Sequence, residues 1–215
     1  MISFLVKPPR IFLALECATL FFITPLVLYM NPTGLTVHLT MWCVAAYAAF
    51  ILSREPDFSW KQAWSGTPWT SREFKLVAAR FVLASVGIAL LTYLIQPDRL
   101  FSFPSQRPFF WLIVMSLYPL LSAFPQELVF RTFFFRRYSE LFPQNWVMLA
   151  ISACIFGFIH IVFHNEIAPL LSVLGGFFLA SSYARHASLK KAAIEHALYG
   201  DMLFTVGLGY YFLVH

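Results

Sequence analysis

The chain has 215 residues, of which 60% are hydrophobic, 19% aromatic and only 12% charged. A soluble domain carries about 25% charged residues, and a monomer in water does not tolerate so much exposed apolar surface, so a soluble globular enzyme and a disordered chain are both excluded. The formal net charge is +5, but the basic residues are scattered through short connections and form no cluster on one face, which sets nucleic acid aside as a partner. What remains is an all-α, polytopic membrane bundle of one domain, residues 1–215.

Apolar runs predict seven spans in chain order. The first, about Ile11 to Met30, is closed by Asn31 and Pro32; it runs a full bilayer width without a small-residue cleavage site and so reads as a span, not a signal. The second covers Val37 to Leu52. A polar stretch from Arg54 to Glu73, carrying Trp60, Trp64 and Trp69, suits the headgroup level. The third span is Phe74 to Ile95, ended by a loop from Gln96 to Pro108. The fourth starts near Phe109 and reaches at least Phe135. Trp146 to Phe163, Ile167 to Tyr183 and Ala192 to Val214 complete the set. Residues 1–108 then form scaffold spans, and 109–215 hold the polar motifs.

Lys and Arg set the expected orientation. With a cytoplasmic N-terminus the inside segments hold Lys7, Arg10, Arg54, Lys61, Arg72, Lys75, Arg136, Arg137, Arg185, Lys190 and Lys191, against Arg99 and Arg107 outside. Arg80 and Arg131 fall within spans, where an ionisable group costs several kcal/mol unless it is paired.

The chemistry available lies in the other intramembrane polar residues: Glu16, Glu127, Glu195, Asp201, His160, His164 and His196. Glu127 and Arg131 are four apart, so on a helix they share a face and can pair, whether for function or to hold helices together. Gln126 points about a hundred degrees away from Glu127. His160 follows Phe156 by four residues in FGFIH, and His196 lies in EHALYGD. A lone His on an apolar face is usually a core residue. Two of them with a Glu–Arg pair offer what water activation needs: a desolvated carboxylate as base, and imidazoles to hold water or a developing oxyanion.

QELVFR (126–131), FGFIH (156–160) and EHALYGD (195–201) together resemble the three motifs of the CPBP family, the CAAX-prenyl endopeptidases and bacteriocin-processing or abortive-infection-type membrane proteins. The resemblance covers roughly Ser122 to Asp201. It implies an all-α intramembrane bundle and glutamate-dependent peptide hydrolysis with no required cofactor or metal. It maps Glu127 and Arg131 onto the second Glu and the Arg of the first motif, and Phe156, His160 and His196 onto their counterparts. The implied substrate is a membrane-anchored or lipidated peptide tail reached within the bilayer; neither the peptide nor an oligomeric state is specified.

Two positions depart from that pattern. Gln126 stands where the family has its first Glu, usually assigned as the water-activating base, and a carboxamide takes no proton at neutral pH. Gly200 stands where an Asn would help build the oxyanion site, with Asp201 beside it. Three readings stay open: Glu127 activates water with Gln126 positioning it, Glu195 or Asp201 supplies the carboxylate, or the scaffold binds a peptide without hydrolysing it, as an immunity or regulatory factor. His160 also sits deeper than His196 if both helices are straight, so a tilted or broken helix has to bring them together.

Other chemistries fit less well. Aspartyl intramembrane proteolysis needs two embedded Asp and finds Asp201 alone; no GxSG turn or HExxH motif occurs. His160 and His164, four apart with Glu166 nearby, are a weaker candidate for a shared metal. No repeat suggests a transporter. The remaining features read as structural. Gly175–Gly176, flanked by Ser172 and Ala180, allows close helix packing. The Phe-rich stretch 132–135 is expected to face lipid, Glu16 to pair with Arg80, Tyr210 and Tyr211 to join an aromatic belt, and Cys17, Cys43 and Cys154 to be small buried hydrophobes.

Overall fold

A backbone in lipid has no water to bond, so each spanning segment must satisfy its own N–H and C=O groups. In the computed structural model, which describes residues 8–214, nine helices do this and no strand occurs among the described residues. They are α1 (Arg10–Met30), α2 (Gly34–Arg54), α3 (Trp60–Ser65), α4 (Ser71–Ile95), α5 (Ser102–Gln106), α6 (Pro108–Arg137), α7 (Asn145–Phe163), α8 (Ile167–His186) and α9 (Leu189–Val206). The protein is a helical, polytopic membrane bundle. Lys7, one of the basic residues assigned to the inside, lies outside the described residues.

Six helices, α1, α2, α4, α6, α7 and α8, are long and apolar enough to cross a bilayer. The expected seventh span is helical over Leu189–Val206, but it carries Lys190, Lys191, Glu195 and Asp201 and does not qualify. Instead α9 packs against α4, α6 and α8 and buries Glu195 and His196 inside the bundle. Its buried polar residues thus face the interior of the bundle, while Ile194 and Leu198 stay exposed.

Helix starts follow local capping chemistry. Thr33 and Thr36 close a reciprocal box at the head of α2, and Thr70 with Glu73 does the same for α4. Ser59 and Ser188 cap α3 and α9. Interior prolines leave their mark too. Pro25 in α1 follows a widened π-type turn over Thr19–Ile23, and Thr24 Oγ1 donates back to the Thr19 carbonyl at 2.9 Å. In α6, Pro119 opens such a turn and a second one runs over Leu128–Phe133. Pro125 cannot donate to the Leu121 carbonyl, and Trp42 Nε1 of α2 takes that acceptor at 3.1 Å.

The apolar core gathers Phe21 of α1 with Phe130, Phe133, Phe134 and Tyr138 in edge-to-face contacts. Phe133 and Phe134 are fully buried, so the Phe-rich end of α6 is core and not lipid-facing, because α1 and α2 close over it. Of the cysteines, Cys17 is buried, whereas Cys43 and Cys154 are exposed on the outer faces of α2 and α7. α7 and α8 approach closely: a Cβ at Gly176 would stand 3.1 Å from the Phe156 ring and 3.2 Å from Ala153 Cα.

Ion pairs join the first three spans to the rest, with different partners from those expected. Glu16 pairs with Arg137, at 2.9 and 3.2 Å, and accepts from the Tyr47 hydroxyl. Arg80 lies 3.9 Å from Glu195, and Arg136 bonds to Glu55. The expected Glu16–Arg80 pair is replaced because each residue finds an opposite charge in the C-terminal half, where a desolvated charge costs most if left alone.

Candidate active site

α6 delivers the first motif. Its second widened turn begins just after Glu127, and the two neighbouring side chains part there: Gln126 faces a cavity, while Glu127 is fully buried and is not among the residues that line it. Gln126 Nε2 donates to Ser122 Oγ at 2.8 Å, and its Oε1 is buried without a protein partner.

Behind the cavity wall Glu127 holds two partners. Its Oε1 is 2.9 Å from His196 Nδ1, and its Oε2 is 3.4 Å from Arg131 Nε. A carboxylate can only accept, so the Nδ1–H of His196 points at Glu127 and Nε2 keeps the free lone pair. Arg131 is itself pinned: Nη1 donates to the Phe130 carbonyl at 3.2 Å and to Ser152 Oγ at 3.0 Å, and Nη2 to the Gly176 carbonyl at 3.3 Å. Its guanidinium stacks over the Phe156 ring at 4.9 Å. Residues of four helices, α6, α7, α8 and α9, therefore fix one carboxylate.

α7 supplies the third residue. Beyond Phe158 it tightens to a 3-10 turn over Ile159–Phe163, which carries His160. His160 Nδ1 lies 2.6 Å from the Phe156 carbonyl, an acceptor only, so this imidazole also carries its proton on Nδ1. Phe156 sits between the two imidazoles, edge-to-face with His160 at 5.0 Å and with His196 at 5.4 Å. His160 and His196 both line the cavity, with the Phe156 ring in contact with each.

The cavity has a volume of about 560 Å³ and is walled by α2, α6, α7, α8 and α9. Its surface is mainly aliphatic and aromatic, with Tyr118, Ser122, Gln126, His160, Ser172 and His196 among its polar members. Glu195 and Asp201 do not line it. Glu195 is buried toward α4, accepting from Tyr199 Oη at 3.1 Å, and the Asp201 carbonyl takes Thr205 Oγ1 at 2.7 Å. Gly200 and Gly175 do line it, as does Phe156. His164 is elsewhere: it takes a left-handed backbone conformation and stacks on Tyr29 at 4.3 Å. Among the described residues no three His, Cys, Asp or Glu side chains converge as ligands for a metal.

Residues 107–200 match the family model of the Rce1-like type II CAAX prenyl endopeptidases. Over this segment the chain is similar to CPBP-type proteases. No curated protein and no solved structure matches the chain. The matched segment contains Gln126, Glu127, Arg131, Phe156, His160, Glu195, His196 and Gly200; Asp201, the last residue of the third motif, lies just beyond it.

Sequence reading alone missed Tyr118, Ser122 and Ser152. The first two had a signal, since positions 118, 122 and 126 recur every four residues on one stripe of α6 and all three line the cavity. Ser152 had none; its role depends on α7 lying against the Arg131 side chain.

Proposed function

We propose that this protein is an intramembrane endopeptidase that hydrolyses a membrane-proximal or lipidated peptide tail within the cavity of its Rce1-like domain. The reading is supported at the level of protease class by the family match, and for this chain it rests on one observation: the Glu127–His196 hydrogen bond behind a largely apolar cavity. Glu127 has no face on the cavity, so it acts through His196 and not on the water directly.

In this mechanism a water accepts its orientation from the two Nε2 lone pairs, those of His160 and His196. His196 Nε2 takes one proton as the water oxygen attacks the scissile carbonyl carbon. Glu127, held by Arg131, keeps the His196 ring in the required tautomer and stabilises the imidazolium that forms. The π electrons move onto the carbonyl oxygen. On collapse the C–N bond breaks, and the departing amine takes the proton from His196. Gln126, which cannot accept a proton, offers its unpaired carbonyl oxygen to a water or peptide N–H in the cavity. The N-terminus is assigned to the cytoplasm and the protein to a prokaryotic plasma membrane, on the distribution of Lys and Arg and the short connections.

The test compares membrane-protein fragments, mapped by mass spectrometry, between cells with this protein, with its Glu127→Gln variant and without it. A new cleavage site near a span boundary, absent with the variant, is expected. Identical fragment maps in all three would leave a peptide-binding protein without hydrolysis.

A further inference from the structure

Gly200 lies four residues after His196 on α9, on the same face, and borders the cavity. It offers no side chain there, yet the space is filled. A Cβ built on Gly200 would collide with the ring and hydroxyl of Tyr118, which reaches across from α6. The two positions are sterically coupled: a tyrosine fits at 118 because residue 200 is glycine.

The Tyr118 ring is fixed on several sides. Besides Gly200 it meets His196 edge-to-face at 6.0 Å and Phe204 at 5.4 Å. Its hydroxyl lies against Gly200, one helical turn from His196, and both Tyr118 and His196 line the cavity. The imidazole N–H groups nearby are turned to other acceptors, and Gln126 is bonded to a neighbour on its own helix. His196 Nδ1 is turned to Glu127, His160 Nδ1 to the Phe156 carbonyl, and Gln126 Nε2 to Ser122. No hydrogen bond within the protein engages the Tyr118 hydroxyl among the described residues.

The geometry points to the Tyr118 hydroxyl as the oxyanion donor of this site, standing in the room that Gly200 leaves. This assignment rests on the hydrolytic reading above. As water adds to the scissile carbonyl and its proton passes to His196 Nε2, the electron pair displaced onto the carbonyl oxygen accepts a hydrogen bond from Tyr118 O–H. The phenol keeps its proton throughout, and the bond weakens again when the C=O re-forms. A fixed donor in a dry cavity does more for a developing charge than for the neutral carbonyl that precedes it.

Tyr118→Phe tests this, since it keeps the ring and its contacts and removes only the hydroxyl. Two readouts are made on the purified full-length protein in proteoliposomes. The first is cleavage of an internally quenched, farnesylated peptide. The second is binding of a peptidyl phosphonate, a tetrahedral anion, against the matching uncleaved peptide amide. The expected result is a loss of about 10²-fold in kcat with KM nearly unchanged, and a comparable loss in phosphonate affinity, the scale of removing one oxyanion donor. Amide binding should hardly move. A Tyr118→Ala/Gly200→Asn variant, placing a carboxamide in the vacated room, is expected to recover phosphonate affinity over Tyr118→Ala alone. Equal affinities of wild type and Tyr118→Phe for the phosphonate, or unchanged kcat, would overturn the assignment while leaving the hydrolase intact. Absence of turnover and of phosphonate preference in the wild type would overturn both.

Discussion

His196 donates its Nδ1–H to Glu127 across 2.9 Å, joining α9 to α6 behind the cavity wall. The consequence is a division of labour between adjacent residues. Gln126 has access to the cavity without basicity, and Glu127 has a carboxylate without access.

Glu127→Gln is therefore the informative change at this position. It preserves shape but cannot hold a charged imidazolium, so turnover should fall about 10²–10⁴-fold, the range typical of general acid–base contributions. Glu127→Ala is a poorer test, because it strands Arg131 as an unpaired buried charge at a cost of about 3–5 kcal/mol. Turnover and thermal unfolding of both variants in detergent, measured side by side, separate the two effects.

Gln126→Glu places a carboxylate on the cavity wall. If Glu127 and His196 already activate the water, the rate should stay level or drop. A rise of about tenfold, equal to about 1.4 kcal/mol off the barrier, would instead mean that the site lacks its base.

Arg131 is held by three donated hydrogen bonds as well as its carboxylate. Arg131→Lys keeps the charge but loses the planar fork that reaches Phe130, Ser152 and Gly176 at once. The expected outcome is a lower unfolding temperature together with reduced turnover. Ser152→Ala removes one of the three partners and should lower the unfolding temperature by less. Equal stability of Arg131→Lys and wild type would remove Arg131 from its anchoring role.

Two glycines of the α7–α8 pair should respond in opposite ways to alanine. A Cβ at Gly157 would press on Val173, with the Pro169 carbonyl 2.9 Å away, while one at Gly175 meets nothing within 4 Å. Gly157→Ala should destabilise by about 1–3 kcal/mol, the usual cost of overpacking. Gly175→Ala should be neutral or slightly stabilising in unfolding experiments, because alanine is the better helix former.

Chelation gives a further check on the proposed water-activating groups. His160 and His164 do not face one centre: one is turned to the Phe156 carbonyl at the cavity, the other is stacked on Tyr29. Turnover should survive incubation with 1,10-phenanthroline. Loss on chelation that is restored by added zinc would overturn the His196–Glu127 mechanism.

The membrane class and the helical architecture were legible in the sequence, because a bilayer leaves a long apolar run with few other ways to satisfy its backbone. The motif residues were legible as well, since charge and imidazole stand out against an apolar chain. Partner choice was not. Glu16 and Arg80 look like a pair along the chain, but pairing depends on which helices are neighbours, and only the packed bundle puts Arg137 and Glu195 beside them. Hydropathy alone does not say which faces of the polar helix Leu189–Val206 turn inward, and only the packed bundle shows Glu195 and His196 buried. The widened turns of α6 and the tight turn of α7 decide which way Gln126, Glu127 and His160 look, and ideal helical spacing contains neither. Above all, the sequence shows Gly200 as a missing side chain. That Tyr118 occupies its space is a contact between helices some eighty residues apart, fixed by how α6 and α9 pack.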